Sequence, residues 1–278
     1  MSEQAQDFRA RYGPTALVLG GSEGIGRAFA GQFAARGLDL VLIARRAGPL
    51  EAAAREIRAA HRVAVTIHAH DLAAPESAAL AADVLAAHEV GLLVCNAGAT
   101  HGAGAFVDEP LAKALALARL NCLAPLAFAH PALARMRARG HGGLIVVSSM
   151  SGLGGSGLIA TYAAAKAFEI ALCEGLDREL APLGVDVLCA VAGLTDTPAM
   201  RRSGLSYAAA AAAGFVAMSA EDVARGALEQ LGHAALWYAP GAAAAAALRA
   251  MSREQLTESM TQATAALYNP ALRPPTGA

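Results

Sequence analysis

The chain has 278 residues, 55% hydrophobic and 16% charged, with a formal net charge of −1. That length suits one large α/β domain, and because much of the apolar share is alanine it signals helix more than greasy surface. The near-neutral balance argues against nucleic-acid partners and against a polybasic membrane surface.

Residues 1–13 form a polar N-terminal extension carrying Glu3, Asp7, Arg9 and Arg11, unlike a secretory leader. Residues 15–20 then read as a strand, and 24–36 as a helix ending at Gly37. The pattern repeats: strand 38–44, helix 50–60, strand 63–69, helix 75–88, strand 91–95, and a long helix over 110–139. It continues with strand 144–148, helix 161–181, strand 185–191, helix 219–231, a short strand 235–239 and helix 242–250, entered through Pro240 and Gly241. Strand then helix, repeated, means right-handed βαβ units and a parallel sheet with helices on both faces. Nearly unbroken apolar strands such as Leu40-Val41-Leu42-Ile43 suit burial on both sides. No linker divides the chain, so 14–268 reads as one domain. The Pro-rich tail 269–278 reads as poorly ordered. No charge-free apolar run suits a membrane span. Cys95, Cys122, Cys173 and Cys189 are scattered without a CxxC and read as buried free thiols of a reducing, cytoplasmic setting.

The first strand runs into Gly20-Gly21-Ser22-Glu23-Gly24-Ile25-Gly26, and a helix follows at once. Small residues there let backbone approach a pyrophosphate, and the helix N-terminus supplies free N–H groups. The second strand ends Ile43-Ala44-Arg45-Arg46, where an NAD site usually places an acid for the ribose hydroxyls. Two arginines instead suit a 2′-phosphate, which favours NADP(H) over NAD(H). Glu23 cuts the other way, since a carboxylate beside that phosphate repels it.

Three later segments carry chemistry: Asn96-Ala97-Gly98, Ser148-Ser149, and Tyr162-Ala163-Ala164-Ala165-Lys166. The i, i+4 spacing puts Tyr162 and Lys166 on one helical face. A nearby ammonium and the cationic oxidised nicotinamide both favour the phenolate and lower a tyrosine pKa toward the range where it shuttles protons.

Taken together these motifs resemble the short-chain dehydrogenase/reductase family, in matching order from about residue 15 to 250. The resemblance implies a single Rossmann-like, doubly wound domain with a mostly parallel seven-stranded sheet. It implies that Gly20, Ser22, Glu23, Gly24, Ile25 and Gly26 hold the dinucleotide, with Arg45 and Arg46. Asp71 and Leu72 match its adenine-contacting position and Asn96, Ala97 and Gly98 its NAG motif. Gly193, Thr195 and Thr197 match its segment over the nicotinamide. It implies that Tyr162 gives or takes the proton and that Ser149, thirteen residues earlier, polarises the carbonyl. Lys166 binds the nicotinamide ribose, and Asn121 holds a water behind it. Two departures stand out. Leu19 replaces a threonine that ties two loops together, and Ala192 replaces a proline, which predicts a more mobile loop.

Other candidates are weaker. His68 and His70 share a strand face, but no third ligand has a metal-site spacing. His101, His130, His141 and His233 read as loop or surface residues, and Met136, Met150 and Met200 as packing. Ser148 competes with Ser149, though the spacing favours Ser149. The family takes its specificity from the segment over 194–218, here rich in alanine with Leu205, Tyr207, Phe215 and Val216. That composition, with Leu153 and Leu158, predicts an apolar carbonyl or alcohol, and Arg201 and Arg202 suit an acyl carrier's phosphate. The resemblance also implies a homodimer or homotetramer built on helices 110–139 and 161–181. The rival is a non-catalytic dinucleotide-binding sensor or scaffold, against which the complete set Asn121, Ser149, Tyr162 and Lys166 argues.

Overall fold

The computed structural model describes residues 3–98, 102–239 and 241–268. The expectations for His101, Pro240 and the tail 269–278 lie outside the described residues.

The chain begins α1 (Glu3–Tyr12), β1 (Thr15–Leu19), α2 (Gly24–Ala35), β2 (Asp39–Ala44), α3 (Ala47–Ala60) and β3 (Val65–Ala69). It continues α4 (Ser77–Ala87), β4 (Val90–Cys95), α5 (Leu111–Ala118), α6 (Ala124–Arg139), β5 (Gly142–Ser149), α7 (Ala160–Leu180) and β6 (Val185–Ala192). The last part holds β7 (Thr195–Asp196), α8 (Pro198–Arg202), α9 (Tyr207–Ala212), β8 (Met218–Ser219), α10 (Ala220–Gln230), β9 (Leu236–Tyr238), α11 (Ala242–Arg249) and α12 (Arg253–Tyr268).

Seven strands make one sheet in the order β3-β2-β1-β4-β5-β6-β9, with every pairing parallel. Alternation along each strand builds two cores. Leu17 and Leu19 face the layer of α4, α6 and α7, where Val84, Phe128 and Cys173 are buried. Ala16 and Val18 face the layer of α2, α3 and α10, where Phe29, Phe33, Leu50 and Ala224 are buried. The fold is therefore doubly wound, as the alternating pattern predicts. Strand order reverses between β1 and β4, the place where such sheets open a ligand crevice beyond their carboxyl ends. The Gly20 loop, the Asn96 segment and Ser149 all leave that edge.

Three elements differ from the sequence reading. The N-terminal extension is helix α1, fastened by Tyr12, which is 5% exposed. Its hydroxyl donates to Asp186 at 2.6 Å, and Arg11 donates to both oxygens of the same carboxylate at 2.7 Å. The expected single helix over 110–139 is interrupted by a π turn, Arg119–Leu123, which holds Asn121. Single π turns inside helices often mark functional positions, and alanine-rich periodicity gives no sign of one. Third, α12 was not expected, because its stripe is polar: Thr261 and Thr264 are buried there beside Leu256.

The stretch Leu111–Arg139 is long and apolar enough to cross a membrane by length and composition, which the sequence reading did not expect. In the fold its inner residues Phe128, Leu133 and Met136 pack in the core, while Leu111, Leu115, Leu123 and Leu126 are exposed.

Candidate active site

The crevice starts at the loop after β1. Gly20 has φ +83°, and a Cβ there would lie 2.9 Å from Ala97 Cα. At Gly26 a Cβ would meet Gly20 O at 2.2 Å. Both positions are closed to any side chain, so the loop presents bare backbone. The first turn of α2 has no side-chain cap, which leaves its leading N–H groups for an anion. Ser22 and Ile25 are partly buried in the same loop, and the Thr197 methyl borders Gly24. This cradle fits a dinucleotide pyrophosphate. Asn96 ties this loop to the end of β4, with Nδ2 donating to Gly20 O and its N–H to Leu19 O, each at 3.1 Å.

At the end of β2 the two arginines part company. Arg46 donates to Glu23 Oε2 at 2.7 Å, while Arg202 of α8 pairs with Glu23 Oε1. Arg45 is exposed and has no ion pair among the described residues. Two guanidinium groups thus engage one carboxylate, which offsets the repulsion expected from Glu23. Asp71 is exposed and caps its own turn by accepting from the Ala73 N–H at 3.0 Å, with Leu72 buried beside it.

The catalytic candidates gather beyond β4 and β5. Ser148 and Ser149 point to opposite sides of β5. Ser148 is 3% exposed and donates to Lys166 O at 2.8 Å, behind α7. Ser149 is partly exposed and accepts from the Ser151 N–H at 3.2 Å, and its hydroxyl lies close enough to Tyr162 to draw the phenol down. Lys166 Nζ lies 5.7 Å from the Tyr162 ring centroid. A Cβ on Gly98 would sit 2.8 Å from Asn121 Oδ1 and 3.1 Å from Lys166 Nζ, so these groups meet at one point. Asn121 is fully buried; its Nδ2 donates to Leu117 O at 2.9 Å, and its Oδ1 has no partner among the described residues.

Electrostatics at Tyr162 depart from the expectation. Burial pushes the phenol above its ordinary value, while Lys166 and the Ser149 hydroxyl draw it back only in part. The sequence reading counted the ammonium but had no measure of burial. It also missed Glu169, which is 2% exposed and bound to Lys166. A signal existed: Glu169 falls at i+7 from Tyr162 and i+3 from Lys166, on the same helical face.

The segment after β6 is more ordered than a loop. Thr195 and Asp196 pair with Met218 and Ser219 in a small second sheet. Thr195 donates to Gly193 O at 3.2 Å, which ties back the turn after Ala192. Thr197 caps α8 by accepting from Met200 N–H at 3.1 Å. The arginines expected to be open to a phosphate are paired: Arg201 grips Asp196 at 2.7 and 2.6 Å, and Arg202 binds Glu23. Leu205 is buried, whereas Val216 is exposed. Helix α12 covers this region: Leu267 O accepts from Ser206 N–H at 2.9 Å, and Ser156 bonds Thr264 at 2.9 Å.

No group of three metal-ligating side chains occurs among the described residues. All four cysteines are free. His70 bonds the Ser77 hydroxyl at 3.0 Å, and His68 Nε2 is buried without a partner among the described residues. His130 and His233 are exposed, and His141 contacts Arg11 O at 3.1 Å.

Residues 14–208 match the family model described as short chain dehydrogenase. The chain is 32% identical over 226 residues to a 7β-hydroxysteroid dehydrogenase of Clostridium sardiniense, covering 81% of this chain and 85% of the relative. Among solved structures, one of a 7β-hydroxysteroid dehydrogenase superposes with TM-score 0.83 at 28% identity, covering 91% of this chain and 98% of the other. A short-chain dehydrogenase from Sphingobium yanoikuyae in complex with NADPH superposes with TM-score 0.75 at 31% identity, covering 85% and 92%. The chain belongs to the short-chain dehydrogenase family of oxidoreductases.

Proposed function

We propose that this member of the short-chain dehydrogenases uses NADP(H) to interconvert an apolar, bulky carbonyl compound and its secondary alcohol, with Tyr162 as proton donor or acceptor. One observation carries the reading: the Tyr162 phenol, the Ser149 hydroxyl and the Lys166 ammonium converge beside the glycine cradle at the sheet's carboxyl edge. A nicotinamide dinucleotide supplies or accepts the hydride when bound. The rest is work for the chain. Ser149 donates a hydrogen bond to the substrate oxygen and polarises it. Tyr162 moves the hydroxyl proton. Lys166 binds ribose hydroxyls and draws the phenol down. Asn121, whose Oδ1 has no partner among the described residues, holds a water that links Lys166 to solvent. Gly20 to Gly26, Asn96 to Gly98, Asp71 and Leu72, and Gly193, Thr195 and Thr197 enclose the dinucleotide.

The preference for NADP(H) rests on Arg45, which no carboxylate engages among the described residues, and on the missing acid at the end of β2. The neighbour holding NADPH supports it. The apolar substrate rests on the pocket beside Tyr162, walled by Leu117, Leu158, Ile159 and Phe106, with the Glu109–Lys113 ion pair also lining it. Leu158 has φ +66°, a strained conformation for leucine that is tolerated where surrounding structure demands it. The steroid-specific relative is consistent with a bulky ligand. Residues 14–268 act as one catalytic domain, with 194–218 as its specificity segment. The exposed leucines of α5 and α6 suit a homo-oligomer interface, and the free cysteines suit a reducing, cytoplasmic compartment.

The test is to titrate NADPH and NADH separately by fluorescence, then to screen ketones of graded size with the tighter one. NADPH binds more tightly and bulky ketones turn over. Turnover confined to small, charged sugars overturns the reading.

A further inference from the structure

Glu169 is used by none of the roles above, yet it is the carboxylate buried beside the centre. It is 2% exposed, and both its oxygens accept from Lys166 Nζ, at 3.0 and 2.9 Å. The same ammonium donates to Val147 O at 3.0 Å. Around the pair stand neutral groups. These are Cys95 from β4, Cys122 from the π turn, Cys173 and Tyr162 from α7, Cys189 from β6 and the Ser148 hydroxyl from β5. Tyr268 of α12 adds a further phenol near Tyr162. Lys166 and Glu169 are the two charges there among the described residues. A carboxylate in such surroundings is costly unless paired, and a buried pair adds little net stability over an apolar one. Stability alone therefore gives a weak reason for Glu169, and its partner is the lysine of the proposed reaction.

We propose that Glu169 is a positioning residue: its carboxylate aims the Lys166 ammonium along β5 and offsets part of the positive charge that Tyr162 feels. The inference rests on the reading of Tyr162 as proton donor. Burial pulls the Lys166 ammonium down, but Glu169 and Tyr162 together outweigh it and hold the lysine above its usual value. At Tyr162 the carboxylate acts in the opposite sense to the ammonium and pushes the phenol up. Deleting the negative charge therefore lowers the pKa of both neighbours.

The experiment follows tyrosinate absorbance of the cofactor-free enzyme against pH, with the Tyr162→Phe signal subtracted to isolate one of five tyrosines. Glu169→Gln keeps the size and one accepting oxygen; it lowers the Tyr162 midpoint by about one pH unit. Glu169→Asp keeps the charge and leaves the midpoint near the wild-type value. In the pH profile of kcat/KM for alcohol oxidation, both limbs move to lower pH in Glu169→Gln. A merely structural role lowers the rate at every pH with the limbs in place. A midpoint unmoved or raised in Glu169→Gln overturns the proposal. If that variant does not fold, Lys166→Met and Lys166→Met/Glu169→Gln repeat the comparison without an unpaired ammonium. A lower midpoint in the double variant supports the proposal, and an equal or higher one overturns it. Undiminished turnover by Tyr162→Phe removes the underlying reading without touching this titration, so the two failures are distinguishable.

Discussion

Two clusters of the same residue types sit at opposite ends of the sheet. At the amino end, Asp186 near the start of β6 accepts from Arg11 twice and from Tyr12 once. At the carboxyl end, Glu169 accepts from Lys166 beside Tyr162. Each joins a carboxylate, a cation and a phenol. The first links residues 175 apart in sequence and every oxygen of Asp186 is satisfied. The second is local to one helix; both Glu169 oxygens are likewise satisfied, but beside the cluster Asn121 Oδ1 has no partner among the described residues. A cluster that is complete within the chain fastens it. One that keeps an unmet hydrogen-bonding demand is poised for a ligand.

The comparison breaks first at the carboxyl end. Tyr162→Phe removes the proton donor and lowers kcat by about a thousandfold or more, while NADPH affinity and melting temperature stay near wild type. Steady-state kinetics with a parallel binding titration check this, and a folded variant that keeps its kcat contradicts the role. Arg45→Ala comes next. It raises the Kd for NADPH by about ten- to a hundredfold and leaves NADH nearly unchanged. Equal losses for both cofactors place the discrimination at Arg46 or the glycine loop instead.

At the amino end the signs invert. Asp186→Asn costs about 1–2 kcal/mol of stability, a modest figure because the Arg11 side chain is half exposed. Its kcat stays within about twofold of wild type, which denaturant melts and kinetics on one preparation test. The smallest effect is in pH. Burial, and then Asp186, raise the Tyr12 phenol above its ordinary value. The folded state therefore favours the protonated form. That stability is fully present below the unfolded tyrosine pKa of about 10 and is lost as pH rises above it. Unfolding free energy measured between neutral and alkaline pH falls in the wild type and falls less in Tyr12→Phe. An identical slope in both assigns the alkaline loss to other groups.

Much of this architecture was legible from residue order. Strand-helix alternation and continuous apolar strands gave the parallel sheet and its seven strands. The Gly20 loop, Asn96, Tyr162 and Lys166 were marked by type and spacing, while Ser149 was favoured over Ser148 only through the family resemblance. Less legible were α1 and α12, since Tyr12, Thr261 and Thr264 look like surface residues until their distant partners are known. The π turn at Asn121 was invisible for another reason. It adds a residue to a helical turn without altering the alanine-rich composition around it.

The sequence by itself determined which helix face carries Tyr162, Lys166 and Glu169, because helical periodicity is a local property. It also determined that the end of β2 carries arginine and no acid. Only the tertiary structure decided which of Ser148 and Ser149 faces Tyr162, and that Arg46 is engaged by Glu23 while Arg45 is not. It alone decided that burial outweighs the ammonium at Tyr162. The physical reason is common to all three. Strand facing, ion pairing and desolvation depend on groups brought together from far along the chain, and no local spacing encodes them.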